Sequence, residues 1–265
     1  MRARGWAPVL LVYALYAAIS FLILGLAALA ATLILPGVYR RRAAARALAR
    51  TFLVVAGMPL TVRGMERLAS GQCVVVANHA SYLDGLVFTA ALPARFSFVI
   101  KREMSTVPLA GLFLKRIGSE FVERFDRNRG AADARRVLRN AASGHSLVFF
   151  PEGTFTRTPG LLKFHTGAFV TAARAGCPVI PAVVRGTRAA LPPTGGLPRP
   201  GRIEVDILPA VEAAPDAGEA SSAALRDGAR AAILLALGEP DLTCSGDSAR
   251  PPHTAPERSA RASRS

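Results

Sequence analysis

The sequence predicts an α/β fold: a largely parallel, mixed sheet flanked by helices and preceded by an N-terminal membrane-associated helix pair. Three observations carry this. From Leu60 onward short β-branched and aromatic runs alternate with helical stretches, the pattern of strand–helix–strand units. Ahead of them, no charged residue stands between Arg4 and Arg40. The 265 residues suffice for one large domain or two small ones with a sizeable core.

The first element is the run from Pro8 to Pro36, apolar almost throughout, which as a helix would reach roughly 40 Å against a hydrocarbon core of about 30 Å. Such a helix tilts, bends near Gly25 or lies partly in the interface. It exceeds the ~15-residue apolar stretch of a cleavable signal peptide, and Arg40 to Arg42 follow it like a stop signal. Arg2 and Arg4 precede the run, whereas Arg40, Arg41, Arg42, Arg46 and Arg50 follow it. By the positive-inside rule the remainder faces the cytoplasmic side of a bacterial-type inner membrane. After Pro36-Gly37, Arg42, Arg46 and Arg50 recur every four residues opposite Leu48, Phe52 and Val55, an amphipathic helix suited to anionic headgroups.

Strands are predicted at Leu60–Arg63, Cys73–Ala77, Phe96–Ile100, Glu120–Val122, Ser146–Phe150, Val179–Val184 and Ile203–Leu208. Helices are predicted at about Gly85–Leu92, Val107–Arg116, Gly130–Ala142, Thr166–Ala175 and Glu219–Leu237. Beyond Gly238 the composition turns to Pro, Ser, Thr and Arg, which predicts a disordered basic tail. The expected organisation is therefore a membrane segment over 1–57, an α/β unit over 58–238 and a tail over 239–265.

Composition narrows the partners. Hydrophobic residues make up 51%, while 33 Lys+Arg stand against 18 Asp+Glu for a net charge of +15, a combination that points to a membrane surface. Zinc-finger spacing, RNP-like aromatics and helix-turn-helix patterns are all missing, so nucleic acid is not an expected partner. Cys73, Cys177 and Cys244 lack paired spacing and neighbouring His, which argues for reduced thiols and against a metal site.

Ligands of an α/β sheet gather at the carboxyl ends of strands, and polar residues stand at three of these ends. "VVVANHASYLDG" puts Asn78 and His79 at the mouth of a strand and Asp84 five residues after the His. If a helix begins near Ser81, the carboxylate can meet one imidazole nitrogen while the other takes a proton. The bland alternative is that Asn78 or Ser81 caps the helix and His79 is a satisfied polar residue. "LVFFPEGTFTR" empties another strand into Glu152, Gly153 and Thr154, with Thr156 and Arg157 as further donors, although Pro-Glu-Gly is more often only a turn. "KREM" at 101–104 and "GSEFVERFDR" at 118–127 add a basic rim, eleven basic residues against five acidic between Arg95 and Arg139. Most of these, notably Arg135, Arg136 and Arg139, read as a solvated face.

Together Asn78-His79-x-x-x-x-Asp84, Gly118-x-x-Phe121-Val122-x-Arg124, Pro151-Glu152-Gly153-Thr154 and Val179-Ile180-Pro181-Ala182-Val183-Val184 resemble, in order and spacing, the four blocks of the glycerolipid acyltransferases typified by 1-acylglycerol-3-phosphate acyltransferase. The resemblance covers about Leu60 to Leu208. It implies a fatty acyl thioester, acyl-CoA or acyl carrier protein, attacked directly by the hydroxyl of a lysophospholipid, with membrane lipids as partners and no metal or other cofactor. His79 is then the general base, Asp84 holds its tautomer, and Asn78 and Ser81 support the loop. Lys101, Arg124, Glu152, Gly153, Thr154 and Arg157 are the expected acceptor- and phosphate-binding residues. One departure stands out: where the family continues Glu-Gly-Thr-Arg-Ser, this chain has Phe155, with Arg157 two places later. Either Arg157 reaches the same anion from another angle or Phe155 marks another lipid acceptor. Without a Gly-x-Ser-x-Gly elbow an acyl-serine intermediate is disfavoured. The competing readings are a coenzyme-independent transacylase, a lipid hydrolase and a non-catalytic membrane-binding module.

Overall fold

In the computed structural model of the chain the described residues are 7–123, 133, 136–141, 144–193, 195–212 and 218–243. The chain opens with two helices, α1 (Ala7–Ile34) and α2 (Val38–Val55). It continues through β1 (Leu60–Arg63), β2 (Val74–Ala77), α3 (Asp84–Ala91), β3 (Phe96–Lys101), α4 (Ala110–Arg116), β4 (Glu120–Val122) and β5 (Ser146–Phe149). After these come α5 (Gly167–Ala175), β6 (Val179–Arg185), β7 (Ile203–Ile207) and α6 (Gly218–Leu237). Of the helix predicted over Gly130–Ala142, residues 133 and 136–141 are helical and the remainder lies outside the described residues.

The seven strands form one sheet in the order β1-β7-β6-β2-β5-β3-β4, parallel at every pairing except β6 with β7. The expected mixed, largely parallel sheet is therefore what forms. Strand β2 shows why its sequence is an unbroken run of small hydrophobes: Val74 to Ala77 are all fully buried, because both faces of the strand are covered. Val75 and Ala77 face a core built with Phe52, Leu53 and Phe88 from α2 and α3. Val74 and Val76 face the other, built with Phe169, Leu225 and Ile233 from α5 and α6. Phe88 and Phe169 are each 0% exposed, so truncating either to Ala would cost about 3–5 kcal/mol.

The connection leaving β2 runs through α3 on one face, and the connection leaving β5 runs through α5 on the other. Since β2 and β5 are neighbours, their chain ends part company and leave a crevice between them.

Helix α1 lies antiparallel on α2: Tyr13 Oη donates to the Ala56 carbonyl (2.7 Å), and Phe21 meets Phe52 edge-on (5.4 Å). Small residues, Ala14, Ala17 and Ala28, line its buried stripe, while Leu11, Val12, Leu15, Ile19, Leu22, Ile23 and Leu26 are exposed. The arginine row of α2 departs from expectation. Arg42 reaches inward and donates to the carbonyls of Ile117 (2.7 Å) and Gly118 (3.1 Å) at the end of α4, and Arg50 donates to Ala90 (2.8 Å) at the end of α3. In the same manner Arg116 donates to Thr32 (3.1 Å) and Leu33 (3.2 Å) in the last turn of α1. Guanidinium groups thus satisfy the orphan carbonyls of three helix ends, where the dipole also favours a cation. Gly118 permits the approach: at φ 69° it takes the left-handed conformation, and a Cβ there would lie 2.9 Å from Val38 and 3.0 Å from Arg42.

The chain does not fray at Gly238 as expected. Residues 239–243 fold back on the body, with Leu161 bridged to Asp241, because Arg230 and Arg188 hold the acidic side chains Asp241 and Glu239. Residues 244–265 lie outside the described residues.

Candidate active site

The crevice is furnished by the residue pairs that end β2 and β5. Asn78, 3% exposed, spans the gap where the β2–β6 ladder stops: Nδ2 donates to the Val184 carbonyl (3.0 Å) and Oδ1 accepts the Val184 N–H (2.8 Å). An amide side chain thereby replaces a backbone ladder bond, which fixes the direction in which the next residue leaves the sheet.

That residue is His79. Its Nδ1 lies 2.7 Å from Oδ2 of Asp84, the first residue of α3. The same oxygen accepts the N–H groups of Ala80 (2.6 Å) and Ser81 (2.9 Å). Asp84 is fully buried, and its Oδ1 has no partner among the described residues, so the carboxylate acts through the one oxygen that faces the ring. Oδ2 only accepts, which requires Nδ1 to carry the proton and leaves Nε2 as the basic nitrogen. Nε2 makes no hydrogen bond among the described residues, and the His79 side chain is 19% exposed. Ser81 does play the helix-start part: Oγ accepts the Leu83 N–H (3.2 Å) and donates to the Leu191 carbonyl (2.8 Å).

Aromatic side chains set the plane of the imidazole. Phe150 stacks on it (4.6 Å, 24°), Phe155 meets it edge-on (4.6 Å, 80°), and Tyr82 meets Phe155 edge-on (4.8 Å, 89°). Phe155, which stands where the blocks quoted above would continue with Arg, therefore lies directly against the imidazole.

Glu152 was expected among the acceptor-binding residues, and the structure corrects this. At 4% exposure it points inward, its Oε1 accepting the His79 N–H (2.6 Å) and its Oε2 the Leu162 N–H (2.9 Å). Burial pushes its carboxyl up to about 7, and the two N–H groups and the nearby Arg188 only partly oppose this. A buried carboxylate with both oxygens engaged cannot grip a phosphate. It braces the loop carrying His79 against the loop that follows Gly153. Gly153 itself closes a turn on the Phe150 carbonyl (3.0 Å).

On the rim, Lys101, Thr154 and Arg157 are exposed, and their side chains make no hydrogen bond or ion pair among the described residues. Arg124 lies outside the described residues. Arg102, beside Lys101, is committed elsewhere: with Arg136 it pairs with the buried Asp133, which also accepts the Glu123 N–H (2.9 Å). Although burial pushes that carboxyl up, these partners hold it below the usual range. Arg136 is thus an anchored residue and not part of a solvated face.

Sequence reasoning brought His79, Asp84, Asn78, Ser81 and Gly153 to one place. It missed the bracing role of Glu152, the aromatic walls and Arg188, whose Nη1 donates to the carbonyls of Thr156 (2.8 Å) and Thr158 (3.2 Å). The available signal was the pair of phenylalanines flanking Pro-Glu-Gly-Thr; nothing local pointed to Arg188.

Residues 59–185 match the family profile described as Acyltransferase, a span holding all four sequence blocks. The chain is 33% identical over 134 residues to 1-acyl-sn-glycerol-3-phosphate acyltransferase BAT2, chloroplastic, of Brassica napus, covering 49% of this chain and 38% of that protein. It is 32% identical over 141 residues to the lyso-ornithine lipid O-acyltransferase of Pseudomonas aeruginosa, covering 52% of each. The chain thus spans about half or less of these two relatives. The crystal structure of the 1-acyl-sn-glycerophosphate (LPA) acyltransferase PlsC from Thermotoga maritima superposes with a TM-score of 0.69 over 87% of this chain and 94% of that one; at 21% identity, the likeness is one of fold. With the sheet shared and the first, third and fourth blocks meeting at His79, residues 59–185, just under half of the chain, are similar to the acyltransferases that include the 1-acyl-sn-glycerol-3-phosphate acyltransferases.

Proposed function

We propose that the chain transfers a fatty acyl group from a thioester, acyl-CoA or acyl carrier protein, to the free hydroxyl of a lysophospholipid. The first choice is 1-acylglycerol-3-phosphate, giving phosphatidic acid. The observation that carries this reading is the 2.7 Å contact of His79 Nδ1 with a buried Asp84 oxygen, which leaves Nε2 as the free base. Nε2 takes the acceptor's proton as its oxygen attacks the thioester carbonyl; Asp84 stabilises the imidazolium. Collapse of the tetrahedral intermediate expels the thiolate, which recovers the proton from Nε2. General-base assistance of this kind is worth about 10²–10⁴ in rate.

The amides of His79, Ala80 and Ser81 are consumed by Glu152 and Asp84, so the oxyanion's donors must come from elsewhere. Thr154, exposed beside the Gly153 turn, is our assignment. Lys101 and Arg157 would hold the acceptor phosphate, joined by Arg124 on the strength of the family pattern.

The site would work at a bilayer, on the cytoplasmic side of a bacterial-type inner membrane. Residues Pro8–Ile34 of α1 are long and apolar enough to cross one, and most of them are exposed. At 28 residues α1 would measure about 42 Å, longer than an upright span needs. Its buried stripe rests on α2, and its exposed face suits lipid tails.

Because one similar relative is named for a lyso-ornithine lipid, the test is an acceptor panel. The full chain in lipid vesicles is offered acyl-CoA or acyl carrier protein with lysophosphatidate, lyso-ornithine lipid or neither, and products are weighed by mass spectrometry. Thioester-dependent phosphatidate is expected. Free fatty acid without acceptor, or transfer without thioester, would replace this reading with hydrolase or transacylase.

A further inference from the structure

The loop that follows Glu152 is closed from outside by the chain's own residues 239–242. Leu161 donates its N–H to the Pro240 carbonyl (2.9 Å), and its carbonyl accepts the Leu242 N–H (3.1 Å). Glu239 Oε2 accepts the Gly160 N–H (2.6 Å) and pairs with Arg188 Nη2 (3.2 Å). Arg230, on α6, holds both Asp241 oxygens (2.9 and 2.6 Å) and donates to the Leu161 and Leu162 carbonyls (3.1 Å each). Gly160 admits this contact, since at φ 145° a Cβ would lie 2.5 Å from Leu242 Cγ and 2.8 Å from the Pro240 carbonyl.

Two consequences follow inward. Arg188 grips the carbonyls of Thr156 and Thr158, the residues on either side of Arg157, and is itself held by Glu239. Leu162, next to the bridged Leu161, donates to Glu152, which accepts from His79. A continuous run of hydrogen bonds connects 239–242 with the backbone on both sides of Arg157 and with the His79 loop.

We propose that residues 239–242 are a latch that sets the acceptor loop 153–162, with Glu239 the positioning residue that fixes the direction of Arg157 through Arg188. This rests on the reading of that loop as the acceptor's wall. Glu239 touches neither substrate. Its effect should therefore fall on acceptor recognition and leave the thioester and the chemistry alone.

The test compares full-length wild type, Glu239→Gln and Glu239→Asp in vesicles, varying lysophosphatidate and acyl-CoA separately and recording thermal midpoints. Glu239→Gln keeps an acceptor for Gly160 and loses the charge that holds Arg188. The acceptor KM should rise about tenfold, the scale of one charge-assisted contact, while thioester KM, saturated kcat and the midpoint hold. Glu239→Asp should recover part of the loss. An acceptor KM unchanged in Glu239→Gln would overturn the latch, as would a joint fall of midpoint, kcat and both affinities, which marks a brace of the fold. If wild type acylates no lysolipid, the functional reading fails separately, and amide hydrogen exchange decides the latch. Exchange in 153–162 should quicken about tenfold in Glu239→Gln with β2 and β6 unaffected; equal exchange throughout refutes it.

Discussion

Asp84 concentrates three hydrogen bonds on one oxygen, two from backbone and one from His79. An amide in its place offers either a weaker acceptor or a donor facing Nδ1, which would force the proton onto Nε2 and remove the base. Asp84→Asn should therefore lower turnover by about 10³–10⁴-fold with the fold intact, as steady-state rates and circular dichroism would show. Glu152 makes a separate prediction through its buried carboxyl. Its folded value of about 7 lies above the ordinary 4.5, so between those pH values the native state holds a proton that the unfolded chain has lost. Stability from this group is present at low pH and falls as pH rises to about 7, by at most about 3 kcal/mol. Glu152→Gln should remove that slope, measured as the difference in denaturant midpoints at pH 5 and 7.5 between variant and wild type; parallel slopes would refute the assignment. The His79–Asp84 pair was legible because both partners sit within one strand-to-helix turn. Glu152 was not, because one of its partners is the Leu162 N–H, returning ten residues later, and a Glu beside Gly reads locally as an exposed turn.

For whole elements, the strands were legible nearly to the residue: β2 and β6, covered on both faces, read as unbroken hydrophobic runs, and β7 reads as an alternation of apolar and polar residues. The charged face of α2 was misread because periodicity reveals that a face is polar and says nothing of what it meets. In the fold Arg42 and Arg50 meet the carbonyl ends of α4 and α3. Arg42, its charge disfavoured by burial that Glu120 only partly offsets, is a structural cation. Arg42→Ala should cost about 2–3 kcal/mol in a denaturation experiment, through stranded carbonyls and a gap beside Gly118, with vesicle binding unchanged. Loss of vesicle binding at constant stability would restore the headgroup reading. The exposed face of α1 predicts the opposite behaviour: Leu22→Asp with Leu26→Asp should weaken co-sedimentation with vesicles and leave unfolding unaffected. Retention in high salt and carbonate would place the membrane contact elsewhere.

As a whole, the molecule joins an apolar helix paired with an arginine-rich one, a seven-stranded sheet and a returning C-terminal segment around one crevice. Among the described residues, its cations include helix-end arginines such as Arg42, an ion-pair cluster at the buried Asp133, and the exposed Lys101 and Arg157. Of these groups, only Lys101 and Arg157 have exposed side chains free for an anionic acceptor. The return of residues 239–243 escaped the sequence reading because Pro, Ser and Arg dominate the composition beyond Gly238, and the pairing of Leu161 with Asp241 is non-local. The central claim, that His79 is the base of acyl transfer, is tested most directly by His79→Ala in the full chain. The measurement is thioester-dependent acylation of lysophosphatidate in vesicles, with thermal midpoint and membrane attachment recorded on the same preparation. The account predicts that turnover falls by about 10²–10⁴-fold, the usual worth of a general base, while the midpoint and attachment match wild type. Turnover above a few per cent of wild type in a folded, membrane-bound variant would contradict it.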